Sequence, residues 1–369
     1  MSPTATWARQ TFQAGTWPSV SIHPMNLTLI RLLLVGFIVV PTFVSAQSLL
    51  PTKKVVFTSG PGRFNERELA ELQQAAPSLA LVFPTREKLA AEIVDADAVI
   101  GTITAEQIRT AKKLKWVQVG SAGVENYLFP EMRDSEITLT NMKIVQGVEI
   151  ADHAMALLLG LTRRIDLAME WKRTETWKGA EFRPLYELRG KTAVIVGVGG
   201  IGVQIAVRAK AFGMTVIGVD PQDLPLTPYL DRTVWPDRLE DVLPEADVVF
   251  IAAPHTPQTD KLFQGPQFAK MKRGSFFICV SRGKIYDALV LADALKSGHL
   301  AGAGIDVTDP EPLPKGHPLW TTDRVIITPH IAGRSDGEGA RYFEIYKENL
   351  VRFARGEPLR HTVDKLKGY

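Results

Sequence analysis

Three residues in the second half of this 369-residue chain could act together on one proton and one anion. Arg282 follows the apolar run "FFICV" in "VSRGKIYD", Glu311 follows "GAGID" in "VTDPEPLP", and His330 follows "VIIT" in "TPHIAGRS". An imidazole titrates near neutrality, so His330 suits general acid–base work. A planar guanidinium suits a carboxylate, so Arg282 could hold an acidic substrate. A carboxylate paired with an imidazole raises its pKa and fixes its orientation, which Glu311 could do. Base, anchoring cation and tuning carboxylate are what hydride exchange between an alcohol and a nicotinamide requires. Taken singly, each has a bland reading. An Arg beside Gly is commonly a surface loop, a Glu among prolines is commonly solvated, and a His after Pro is commonly a cap. Their joint placement just beyond successive expected strands gives them weight, because doubly wound folds collect ligands there.

A second pattern supplies a place for the nicotinamide cofactor. "VIVGVGGIGVQIAVRAKAFGMTVIGVD" contains Gly197-x-Gly199-x-x-Gly202. The motif closes an apolar strand, opens a helix and precedes a second strand ending in Asp220, all within one βαβ unit. Gly197 permits the tight turn, Gly199 lets the backbone approach a pyrophosphate, and Gly202 allows close helix–strand packing. Amides near Gly200 and Ile201 sit at the expected helix N-terminus, where the dipole favours phosphate. Asp220 would accept hydrogen bonds from the adenosine ribose hydroxyls and repel a 2′-phosphate. The expected cofactor is therefore NAD rather than NADP.

These residues must be positioned by a parallel sheet. From Lys53 the chain alternates short apolar runs with helical patterns, beginning with "KKVVFTS", "FNERELAELQQAA", "DADAVIGT" and "LKWVQVGS". This rhythm implies βαβ units. "GVEIADHAMALLLGLTRRIDLAMEWKR" reads as one long, mostly buried helix crossing between two domains. A second series follows, with six strands expected at 193–197, 215–219, 248–252, 276–280, 302–306 and 325–329. The last helix, "GEGARYFEIYKENLVRFARG", is amphipathic and stops at Gly356.

Composition narrows the classes. Hydrophobic residues make up 45% and charged residues 22%, as in globular proteins generally. The net charge is +3, and without residues 1–46 the chain has 41 basic and 40 acidic residues. No nucleic-acid or anionic-membrane partner is expected from that balance. One cysteine, Cys279, rules out an intrachain disulfide, and seven scattered His without metal-ligand spacing predict no metal. Residues 1–46 read as a signal-like leader. Met25 precedes Arg31, an uncharged apolar run over Leu32 to Val44, and the small-residue site Val44-Ser45-Ala46. Met25 is expected to be the true start. Cleavage before Gln47 would make the protein exported or periplasmic, and a retained leader would leave it cytoplasmic or membrane-anchored. No membrane partner is expected for the mature chain.

"VGVGGIG", "VSRGKIYDALVLADALKSGHLAGAGIDVTDPEPLPKGHPLW" and "VIITPHIAG" together resemble the D-isomer-specific 2-hydroxyacid dehydrogenase family, from about residue 54 to the end. The resemblance implies two doubly wound α/β domains. A Rossmann-type NAD-binding domain (151–337) would be inserted into a flavodoxin-like substrate domain (47–150 and 338–369). It implies that Arg282 grips the substrate carboxylate and carbonyl, that His330 is the acid/base, and that Glu311 pairs with it. Asp306 would contact the nicotinamide amide, and Ala253, Pro254, Val280 and Ser281 would line the nicotinamide side. "VGSAGVENY" resembles the family's substrate loop, so the amides of Ala122, Gly123 and Val124 would bind the substrate carboxylate. Relatives are commonly homodimers with the long helix near the interface. Two positions depart from the pattern. Gly200 stands where many relatives carry a long polar residue, and Gly333-Arg334 stands where many carry Trp.

The expected function is an NAD-dependent interconversion of a D-2-hydroxy acid and a 2-oxo acid. Formate dehydrogenases share the fold but lack the acid/base Glu, so Glu311 argues against that reading. The alternative from another class is an NAD(H)-sensing binding protein of the same fold, as in the C-terminal-binding corepressors. Such proteins can keep the same catalytic residues, and turnover is what separates the two readings.

Overall fold

The computed structural model describes residues 52–369 apart from Pro61, Arg63, Arg183 and Leu226. The expected leader at 1–46 lies outside the described residues. Two parallel sheets organise the rest. The first is built from β1 (Lys53–Phe57), β2 (Leu79–Val82), β3 (Ala98–Ile100), β4 (Trp116–Gln118) and β5 (Thr138–Thr140), in the order β2-β1-β3-β4-β5. That is the flavodoxin-like order. The second contains β6 (Thr192–Val196), β7 (Thr215–Val219), β8 (Arg232–Val234), β9 (Val248–Ile251), β10 (Ser275–Cys279), β11 (Leu300–Ile305) and β12 (Val325–Ile327). Its order is β12-β11-β10-β9-β6-β7-β8, the doubly wound dinucleotide-binding order with one strand added beyond the sixth.

The inner strands are apolar throughout because helices cover both faces. On one face of the second sheet, Ile150, Ala154, Leu157, Leu158 and Leu161 of the helix Gly147–Thr162 pack with Ile195, Phe250 and Ile278. On the other, Phe263, Phe268, Phe277 and Tyr286 form a chain of tilted and edge-on rings. The last helix, Glu338–Arg355, returns to the first sheet, where Phe343, Tyr346, Leu350 and Phe353 pack with Phe57, Phe64 and Trp116. Its stop is Gly356, at φ 72°, as a left-handed C-terminal residue requires.

Two expectations change. The second sheet has seven strands rather than six. Residues 232–234 are largely exposed on the sheet edge, so no apolar run marked them. The long crossing helix is two helices, Gly147–Thr162 and Ile165–Arg173, separated where Arg164 turns left-handed at φ 54°. The Arg163 amide closes back onto the Leu159 carbonyl, and the Tyr186 amide takes the Thr162 carbonyl. The first helix therefore ends against a segment far along the chain, which local periodicity does not report.

Candidate active site

Strand β6 ends at Val196, and Gly197 turns the chain at φ 88°. A Cβ on Gly197 would lie 2.5 Å from the Ala253 backbone, and one on Gly202 would collide with the Gly197 carbonyl oxygen. Around Gly199 a Cβ would meet nothing within 4 Å, so space lies beside the N-terminus of the helix Gly200–Ala211. Amides there suit a pyrophosphate. Asp220 is fixed at the end of β7. Its carboxylate accepts the Val198 amide at 2.8 Å and the Gln222 amide at 3.0 Å. Ala253, Val280 and Ser281 are buried beyond β9 and β10, while Pro254 is exposed. Ile201 is half-buried on the opening turn of the helix. These residues fit a bound dinucleotide.

The absent side chain at Gly200 has a local reason. A Cβ there would come within 2.9 Å of the Ile144 Cα. The segment leading into the helix Gly147–Thr162 thus runs directly against the glycine loop. Ile144 holds φ 79°, an outlying conformation for a β-branched residue.

The structure brings His330 and Glu311 together. His330 Nδ1 and Glu311 Oε2 are 2.8 Å apart, and Glu311 Oε1 accepts the Thr308 amide at 3.0 Å. Pairing at Nδ1 leaves Nε2 for a substrate. Arg282 extends from the end of β10, with Nη1 donating to the Ser281 carbonyl at 2.7 Å. Its loop touches the turn that holds Glu311, because Gly283 lies against the Thr308 backbone so closely that any Cβ would collide. Cys279, one strand position before this loop, is fully buried, and burial pushes its thiol up to about 12. It is inert there.

Asp306 is 2% exposed and committed to the loop that carries His330. Its carboxylate accepts the Thr328 hydroxyl at 2.5 Å and the Ile331 and Ala332 amides at 3.0 Å each. Since the Thr328 proton goes to Asp306, His153 Nε2, 2.8 Å from Thr328 Oγ1, must be the donor to that oxygen. His153 and Thr328 were not among the residues read from the sequence. Nothing in a helix interior distinguishes His153 until the fold sets it against β12.

The loop Ala122–Gly123–Val124 reaches Arg282. Its carbonyls are occupied: Asn141 Nδ2 donates to Ala122, Ser121 Oγ to Gly123 and the Tyr127 amide to Val124. Among the described residues, no acceptor engages the amides of Ala122, Gly123 or Val124. Gly123 sits so close to Arg282 Nη2 that a Cβ would collide with it. Glu125, next in the loop, pairs with Arg282 at 2.5 Å between Oε1 and Nε. Burial would raise the Glu125 carboxyl, but the Arg282 charge and hydrogen bond, its own backbone and nearby His255 together hold it below its usual value. The sequence reading missed Glu125, although an acidic residue beside expected anion-binding amides was a visible signal. No hydrogen bond or ion pair joins the Arg282 set to the His330–Glu311 pair among the described residues.

Comparison with known proteins identifies the family. A family model described as "D-isomer specific 2-hydroxyacid dehydrogenase, NAD binding domain" matches residues 155–332. The chain is 35% identical over 285 residues to a glyoxylate reductase of Korarchaeum cryptofilum, covering 74% of this chain and 84% of that one. It is 32% identical to a D-3-phosphoglycerate dehydrogenase of Archaeoglobus fulgidus, covering 76% of this chain and 54% of that one, so it spans about half of that relative. A solved NADPH-dependent glyoxylate/hydroxypyruvate reductase of Sinorhizobium meliloti, in complex with NADP and sulfate, superposes with a TM-score of 0.72 at 25% identity, covering 86% of this chain and all of that one.

Proposed function

Because the chain belongs to the D-isomer-specific 2-hydroxyacid dehydrogenase family, and so is an oxidoreductase acting on CH–OH groups, we propose that it interconverts a small D-2-hydroxy acid and its 2-oxo acid with NAD(H). The observation that carries this reading is the 2.8 Å pairing of His330 Nδ1 with Glu311, one loop away from Arg282. The dinucleotide, with its pyrophosphate at the glycine loop, would supply the hydride from its nicotinamide. In the reducing direction, Arg282 and the amides of Ala122, Gly123 and Val124 hold the substrate carboxylate, and Arg282 polarises the carbonyl. His330, protonated and oriented by Glu311, delivers its Nε2 proton to the carbonyl oxygen. In the oxidising direction His330 takes that proton back. Asp306, beside the contact with the nicotinamide amide that the family resemblance implies, holds through its carboxylate the loop on which His330 sits.

NAD is favoured over NADP by the placement of Asp220 and by the absence of any Lys or Arg between Asp220 and Arg232. A 2′-phosphate would meet the carboxylate with no nearby cation from that segment. The helix Ile165–Arg173 has no buried residue, yet it presents Ile165 and Met169 to solvent. That face supports a homodimer, which light scattering of the wild type and of Ile165→Asp would check.

The deciding experiment is NADH oxidation by the purified protein with glyoxylate, hydroxypyruvate, pyruvate and other 2-oxo acids. Turnover of at least one, abolished by His330→Ala with NADH binding retained, is the expected result. NADH binding without turnover of any acid would instead mark a dinucleotide-sensing binding protein.

A further inference from the structure

Glu125 engages the Arg282 guanidinium from within the chain. Arg282 is the guanidinium to which the proposed function assigns the substrate carboxylate, and it already carries an internal carboxylate on Nε. Of its five N–H groups, one serves Glu125 and one serves the Ser281 carbonyl, leaving three. Arg282 can therefore still take an incoming carboxylate, helped by the unpartnered amides of Ala122, Gly123 and Val124. The cation and Glu125 cancel in charge, however. Glu125 is held in its anionic form by that same cation. His255, the other basic group that acts on Glu125, is itself paired with Asp260 at 2.8 Å.

We propose that Glu125 is a specificity-determining residue that admits 2-oxo acids with one negative charge and disfavours those with a second carboxylate or a phosphate. One substrate carboxylate finds donors at the loop amides and the remaining guanidinium N–H groups. A second charge finds no uncompensated cation in this cluster, and Glu125 repels it in a half-buried setting where screening is weak. The neutral cluster thus separates glyoxylate-like acids from phosphorylated or dicarboxylic ones. This rests on the assignment of Arg282 as the carboxylate anchor.

Oxamate and oxalate are nearly isosteric and differ by one charge, so they isolate the effect without requiring turnover. Their equilibrium affinities for the NADH-loaded protein would be measured by calorimetry for the wild type, Glu125→Gln and Glu125→Asp. The wild type and Glu125→Asp should prefer oxamate, and Glu125→Gln should shift the oxalate-to-oxamate affinity ratio toward oxalate by about tenfold or more. The ratio cancels general damage to the site, which a merely structural role would cause for both ligands. A ratio within about twofold of the wild type in Glu125→Gln overturns the proposal, as does failure of both ligands to bind. Parallel assays with glyoxylate and 3-phosphohydroxypyruvate keep the two readings apart. A shifted binding ratio with no turnover of any acid would sink the reductase reading and leave the charge filter standing.

Discussion

The His330 amide donates to the Asp306 carbonyl at 2.8 Å, and the Asp306 carboxylate then takes the next two amides of the chain. A buried acid beyond β11 thus holds the loop of an exposed imidazole beyond β12. His330 has φ 54°, a conformation that costs free energy unless its surroundings impose it. The bonds to Asp306 are that imposition, and Thr328 with His153 behind it keeps the carboxylate aimed.

Thr328→Val should therefore reduce turnover although Thr328 is assigned no contact with substrate. The variant leaves Asp306 and His153 in place but removes the hydroxyl between them. A fall in kcat/KM on the order of 10- to 100-fold is expected from misplacement of His330. A stability loss of about 1–3 kcal/mol should accompany it, from a buried polar group left unsatisfied. Thr328→Ser should retain most of both. Steady-state kinetics and chemical denaturation of the two variants check this, and equal rates in both would disprove the relay.

Glu125 supplies a pH signature. Its folded-state carboxyl lies below the ordinary value of 4.5, so the pair with Arg282 stabilises the fold fully above that ordinary value. The contribution is lost as pH falls through the lower folded value. The melting temperature of the wild type should exceed that of Glu125→Gln at pH 7, and the gap should narrow as pH falls below the ordinary carboxyl value and close beneath the lower folded one. Thermal melts across pH 3 to 8 would show it. A gap that persists unchanged at the acid end would mean that the ion pair is not its source.

Cofactor choice should move with Asp220. Replacing it with Ala removes the carboxylate from the end of β7 and should raise the NADPH-to-NADH ratio of kcat/KM by about tenfold or more. The same change frees the Val198 and Gln222 amides, so some loss of NADH affinity is expected as well. An unchanged ratio would place the 2′-position elsewhere.

Gly200 should not tolerate a side chain here, even though many relatives carry one. Gly200→Ala would press on the Ile144 backbone and should cost about 1–3 kcal/mol, with weaker NADH binding. Ile144→Gly relaxes the left-handed residue that occupies the space, so the double variant should recover part of the loss. A double-mutant cycle by thermal melting measures that coupling.

Much of the site was already legible in residue order. Gly197, Gly199, Gly202 and Asp220 belong to one βαβ unit, and Arg282, Glu311 and His330 each follow an apolar strand by a few residues. Strand-end chemistry in a parallel sheet is a local property, since the loop after a strand must lie at that strand's carboxyl end. Residue order therefore determined the fold class, the dinucleotide loop and the three residues best suited to move a proton and hold an acid. Tertiary structure alone decided what lies between segments distant in the chain. Glu125 and Arg282 are 157 positions apart, and His153 and Thr328 are 175 apart. Neither pair has a local period or motif, because each joins elements distant in the chain: the loop after β4 meets the loop after β10, and a helix interior meets the end of β12. The edge strand Arg232–Val234 and the break at Arg164 stayed hidden for a related reason. One lacks an apolar run because solvent covers it, and the other lies beside a contact made from Tyr186, outside the helical pattern.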